Sequence, residues 1–151
     1  MDNKKVVIGG TFDHLHKGHK ELIKKGFEFG DVVLGLTSNE MAKEMKNREV
    51  EDFEIRKEAL SNYTQNELNK PIEVRKIEDK IGFAVEDDNL NYIIVSPETE
   101  GNANIINEKR ENEGKNLLEI IKIDFVLAKD GKPISSTRIY NKEIDQEGNL
   151  I

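Results

Sequence analysis

Two histidines three residues apart, His16 and His19, carry the chemistry that stands out in this chain. They close the run Gly9-Gly10-Thr11-Phe12-Asp13-His14-Leu15-His16-Lys17-Gly18-His19. An apolar run, Val6-Val7-Ile8, leads in, and a helical pattern from 17 to 29 leads out. A strand, a tight glycine turn and a helix start are therefore expected. The first turn of a helix has unpaired backbone N–H groups and the positive end of the helix dipole, so it receives anions readily. Two imidazoles beside it add placed N–H donors. Phosphoryl-type transfer needs little beyond positioning and stabilisation of charge on the phosphate oxygens. Gly10 allows close backbone approach after the strand, and Gly18 leaves room where a side chain would block a ligand. Zinc is a poorer reading, because His14, His16 and His19 are the only histidines and cysteine is absent. The sequence also lacks GxGxxG, GxxxxGK[ST] and HExxH patterns.

A second pattern lies near the far end, Ile134-Ser135-Ser136-Thr137-Arg138. Taken alone, it is a serine cap on a short helix. It gains meaning from the elements between the two motifs. Strands are expected at 5–9, 31–37, 72–77, 92–96 and in the second half of 118–127. Helices are expected at 17–29, 38–46, 53–66, 99–113 and 135–141. Residues 47–52 read as a loop, and 78–88 as a loop or a loop plus a short helix. Ile55, Leu60 and Tyr63 are the expected inner face of the helix at 53–66.

Alternation of this kind specifies an α/β domain with about five parallel strands covered on both faces. Ligands of such sheets bind outside the carboxyl ends of the strands. Both motifs fall there, as do Thr37 to Lys46 and Ser96 to Gly101. Several residues keep two readings. Asp13 either caps the following helix or belongs to the site. Asn107 and Arg110 either reach a nucleotide from the top of the sheet or lie on the surface, with Arg110 beside Glu108 and Glu111. Glu98 is a partner for the nucleotide or for Arg110. His14 is structural or solvent-facing. Phe83 and Tyr92 belong to the core or a pocket wall.

The 151 residues suit one domain with a sizeable core. The net charge of -7 disfavours non-specific nucleic-acid binding. No apolar run approaches the roughly 20 residues of a membrane span, and Met1 to Gly10 does not fit a secretion signal. Without cysteine the fold stands on its core, and the expected location is the cytoplasm. No pattern specifies an oligomeric state.

Gly10-Thr11-Phe12-Asp13 with His16-x-Gly18-His19, followed by Ile134 to Arg138, resembles the HxGH nucleotidyltransferase superfamily. The resemblance implies a Rossmann-like, doubly wound fold. It extends from Val6 to Tyr140 and is greatest to phosphopantetheine adenylyltransferases of the archaeal and eukaryotic-like branch. Gly35-Leu36-Thr37-Ser38, Phe53 to Lys57, Ile77 to Gly82 and Val95-Ser96-Pro97-Glu98-Thr99 support it. The Arg-Thr-Glu-Gly-Ile-Ser-Thr element expected of cytidylyltransferases is missing.

The resemblance implies a nucleotidyltransferase domain at 1–144 with a tail at 145–151. It implies transfer of the adenylyl group of ATP to 4′-phosphopantetheine, with magnesium accompanying ATP. His16 and His19 would steady the α-phosphate, and Thr11 the substrate phosphate. Gly9, Gly10, Thr11 and Phe12 would meet the nucleotide; Ser135, Ser136, Thr137 and Arg138 would hold the triphosphate. One lysine after the second strand would neutralise the reacting phosphates, Lys43 being the first choice and Lys46 the second. Other acceptors, such as nicotinamide mononucleotide or glycerol 3-phosphate, and a non-catalytic nucleotide sensor are the competing readings.

Overall fold

The computed structural model describes residues 4–151. Eleven elements follow in the order β1 (Lys5–Gly10), α1 (Lys17–Phe27), β2 (Asp31–Thr37), α2 (Asn39–Lys46), α3 (Phe53–Asn66), β3 (Glu73–Ile77), α4 (Gly82–Glu86), β4 (Tyr92–Val95), α5 (Glu100–Asn112), β5 (Glu119–Lys122) and α6 (Ser136–Tyr140). The sheet has five strands in the order β3-β2-β1-β4-β5. Every pairing is parallel, with Lys5 opposite Asp31 and Gly10 opposite Leu36 along β1 and β2.

Strand periodicity divides the apolar residues between two cores. Val6 and Ile8 of β1 and Val32, Leu34 and Leu36 of β2 face one side, with Ile23, Phe53, Leu60 and Tyr63. Val7 and Val33 face the other, with Val85, Ala103 and Ile106. Such a two-faced core is what doubly wound sheets require. Gly26 sits inside α1 because of it: a methyl group there would lie 2.9 Å from Ile8 Cδ1 and 3.0 Å from Val32 Cγ2. The missing side chain lets α1 lie close on the two central strands.

Three features differ from the sequence reading. The inner face of α3 is Phe53, Arg56, Leu60, Tyr63 and Thr64, while Ile55 is exposed. The helical period from Phe53 selects Arg56, because its guanidinium finds buried carbonyls to bind. The last strand occupies 119–122, the first half of the expected segment. Its partner β4 ends at Val95, and the next N–H, on Ser96, is taken by Thr99 Oγ1 at 3.0 Å. Beyond it the chain turns back at Asp130-Gly131, where Leu127 and Pro133 form an antiparallel bridge and Gly131 has φ of 81°. Finally, Asn107 and Arg110 do not reach the top of the sheet. Asn107 exchanges two hydrogen bonds with the Leu118 backbone. Arg110 is buried and donates to the carbonyls of Ala84, Asp87 and Asn116.

Residues 145–151 fold against the body. Lys17 N–H donates to Gln146 O, Lys129 N–H to Gly148 O, and Ile144 pairs with Leu150.

Candidate active site

The sheet order reverses direction beside β1, with β2 on one side and β4 on the other. A crevice opens at such a switch point, outside the carboxyl ends of the strands. β1 delivers the His motif there. Phe12 and His14 both take positive φ, 52° and 50°, a backbone state uncommon for residues with side chains. The turn drives Phe12 into the core, 3% exposed, where its ring lies 4.9 Å from that of His19.

His16, not Asp13, caps α1. His16 Nδ1 accepts from His19 N–H at 3.3 Å, and His19 Nδ1 accepts from His16 N–H at 3.2 Å. The two rings stack with centroids 3.6 Å apart. An Nδ1 that accepts a hydrogen bond carries no proton, so each neutral ring bears its proton on Nε2. Neutrality is enforced by the surroundings. Burial, then Lys46 and His14, lower the His16 pKa to about 4. Burial, then His16 and Lys46, push His19 well below the usual histidine value. Near neutral pH the pair is two Nε2–H donors without charge. Gly18 makes room for this, since a methyl group there would lie 2.9 Å from His16 Cε1.

Thr11 is oriented from beneath. Arg56 is fully buried and donates to the carbonyls of Thr11 (3.0 Å), Thr37 (2.9 Å) and Glu51 (2.8 Å), to Thr37 Oγ1 (3.3 Å) and to Asn39 Oδ1 (3.0 Å). Thr37 Oγ1 accepts from Arg56 and donates to Thr11 Oγ1 at 3.1 Å. The Thr11 hydroxyl hydrogen is thereby left for a ligand. Arg56 lies within the Phe53 to Lys57 stretch that supports the resemblance, which gave it no role; a cation at an inner helical position was the available signal.

Asp13 is wholly buried and accepts from Glu51 N–H at 2.8 Å and Arg48 Nη1 at 2.7 Å. Arg48, another residue the motif reading missed, also donates to Ser136 Oγ at 3.2 Å. It joins the first motif to the second. Ser135 caps α6, its Oγ accepting from Arg138 N–H. The Arg138 side chain turns away to Asp130, Glu143 and the Pro133 carbonyl. Lys43 pairs with Glu49 at 3.4 Å on the surface. Lys46 lies half-buried near Glu98, Arg48 and Asp13, and close enough to the histidines to depress their protonation. Burial is the main cause of its lowered pKa, with Glu98 acting in the opposite sense.

Asp13, His14 and Glu51 offer three ligand atoms within 4.8 Å of one another. This cluster does not fit a magnesium site, because the Arg48 cation already sits 2.7 Å from Asp13 Oδ2 and the imidazole of His14 is not the oxygen donor that magnesium prefers. Next to Gly9 and Gly10 a mostly apolar pocket runs between Gly35, Met41, Ile77, Phe83, Ile94 and Ile106, with Thr37, Glu98 and Asn102 among its polar walls.

Two uncharged donors at the start of α1, just past the carboxyl end of β1, suit direct transfer between phosphates. They set the chain among the α/β nucleotidyltransferases. A family model described as Cytidylyltransferase-like matches residues 7–142. A phosphopantetheine adenylyltransferase of Methanosarcina acetivorans is 46% identical over 152 residues, which is 97% of this chain and 95% of that one. Another, of Archaeoglobus fulgidus, is 44% identical over 149 residues, covering 97% and 99%. The crystal structure of a protein with unknown function from Archaeoglobus fulgidus has a TM-score of 0.74 at 39% identity, covering 81% of this chain and 99% of that one. The chain belongs to the phosphopantetheine adenylyltransferases of the cytidylyltransferase-like family.

Proposed function

We propose that the protein transfers the adenylyl group of ATP to 4′-phosphopantetheine, forming dephospho-coenzyme A and pyrophosphate. The observation that carries this reading is the stacked pair of neutral Nε2–H donors beside the α1 N-terminus, in a chain 46% identical to an enzyme of that name. A phosphate oxygen of 4′-phosphopantetheine attacks the α-phosphorus of ATP. That P–O bond forms as the bond from the α-phosphorus to the α,β-bridging oxygen breaks, and pyrophosphate leaves with the electron pair. No covalent enzyme intermediate is needed.

His16 and His19 donate from Nε2 to the α-phosphate oxygens as charge shifts among them. Neutral donors serve better here than a fixed imidazolium, which would hold ground state and transition state alike. Thr11 donates its free hydroxyl hydrogen to the incoming phosphate. Gly9, Gly10 and Phe12 approach the nucleotide through their backbone. Of the two lysines, Lys46 is the better phosphate-neutralising group, since Lys43 is held by Glu49 on the outside. Ser135, Ser136 and Thr137 face the triphosphate. The apolar pocket beside Gly9 suits a long, flexible acceptor arm, and Met41 and Met45 give it adaptable walls. Magnesium enters on ATP as part of the substrate.

The test is pyrophosphate release with magnesium and ATP, comparing 4′-phosphopantetheine with nicotinamide mononucleotide and glycerol 3-phosphate, and ATP with CTP. Turnover confined to ATP and 4′-phosphopantetheine is expected. Turnover only with another acceptor, or ATP binding without any product, overturns the reading.

A further inference from the structure

Arg48 stands where the two signature motifs meet. It follows Asn47, whose left-handed backbone (φ 54°) ends α2 and turns the chain toward the second motif. Its side chain is nine-tenths buried, at 9% exposure. Nη1 donates to Asp13 Oδ2 at 2.7 Å and to Glu49 O at 2.9 Å. Nη2 donates to Ser136 Oγ at 3.2 Å and reaches Thr137 Oγ1 at 3.4 Å. The guanidinium carbon lies 4.6 Å from the centre of the Tyr140 ring, which fixes its plane. Nε is buried without a hydrogen-bond partner, alone in this respect among the side-chain atoms of the described residues.

A buried cation holding one unmet donor beside two loosely engaged hydroxyls is an incomplete arrangement. An anion rich in oxygens completes it. Arg138 is differently placed: its guanidinium is shared between Asp130, Glu143 and the Pro133 carbonyl, so it braces the turn at 130–133. Lys46, the last residue of α2 on the other side of Asn47, lies near the histidine pair. The two cations thus flank Asn47, Lys46 on the side of the histidine pair and Arg48 against the second motif.

We propose that Arg48, with the hydroxyls of Ser136 and Thr137, binds the β- and γ-phosphates of the nucleoside triphosphate, a role the motif reading gave to Arg138. The inference rests on the nucleotidyltransferase reading and adds the residue that tells a triphosphate from a monophosphate. A planar fork of donors suits this task, since it engages two oxygens at once.

The test is calorimetric binding of ATP and of AMP to the full chain, with Arg48→Ala and Arg48→Lys, and thermal unfolding of each variant as a fold control. Hydrogen bonds to charged groups set the expected size: ATP affinity falls about 10- to 100-fold in Arg48→Ala. AMP affinity changes less than about 2-fold by the same reasoning, since AMP lacks the outer phosphates. Arg48→Lys keeps a charge opposite the buried Asp13, so it is expected to fold even if the alanine variant does not, and to lose most of the ATP-over-AMP preference. Equal losses for ATP and AMP, or an unchanged preference in the folded lysine variant, overturn the proposal. Because the readout is binding, it stands apart from the acceptor test: failure to adenylylate 4′-phosphopantetheine would sink the proposed reaction and leave this comparison decisive.

Discussion

At the scale of single residues, His16 couples protonation to stability. Its pKa is about 4 in the folded chain against 6.5 unfolded. Between those values the unfolded chain takes up a proton that the folded chain refuses. The stabilisation is therefore complete above 6.5 and is lost as pH falls through the window toward 4. By linkage, about 2 kcal/mol is lost by pH 5. Urea unfolding at pH 7 and pH 5 reads this loss together with that of His19, whose pKa is lowered as well, and His16→Asn, which retains a capping acceptor, is expected to shrink the difference between the two pH values by about 2 kcal/mol. An unchanged difference would show that His16 does not titrate in this way. Gly18 makes a second residue-scale prediction. Its α-carbon faces a ring pinned by capping and stacking. Gly18→Ala displaces that ring, and kcat is expected to fall about 10- to 100-fold with melting temperature little changed. Steady-state kinetics beside a thermal scan decides between this and mere loss of fold.

At the scale of elements, Arg56 is the joint. Residues of the turn after β1, of β2, of α2 and of the loop before α3 all give it an acceptor. It holds no carboxylate within ion-pair distance among the described residues, so its place depends on carbonyl dipoles. Arg56→Met leaves those buried carbonyls unmet and is expected to cost about 3 kcal/mol or more. Chemical denaturation reads this, and a cost below about 1 kcal/mol would mean that water or a neighbour replaces the guanidinium. This joint also shows where sequence reasoning stops. Strands such as Val32 to Leu36 were legible because a buried parallel strand is a run of apolar, β-branched residues. A buried arginine leaves no such trace, since its value depends on acceptors brought together by four separate stretches of chain. β5 was misplaced for a related reason: apolar residues continue to Leu127, but the partner strand ends first.

At the scale of the molecule, the sheet gathers its chemistry at one edge. The His motif, Lys46, Arg48 and the second motif are far apart in sequence and meet at the carboxyl ends of the strands. The motif histidines were legible, because a glycine turn between strand and helix prescribes their position. Arg48 was not, because its role follows from a left-handed residue in a polar loop. Among the described residues no helix is long and apolar enough to cross a membrane. The acidic balance, a net charge of -7, leaves the cations of the crevice as a local basic spot for a polyanionic nucleotide. In the proposed reaction the uncharged histidine donors of this crevice lower the barrier to transfer. His19→Ala tests it most directly, with kcat for adenylyl transfer and the ATP dissociation constant measured on the same preparation. A fall in kcat of about 100- to 1000-fold, with ATP affinity within about 3-fold of the parent chain, is the predicted result. Equal losses in rate and in affinity would contradict it, for His19 would then be a binding group alone.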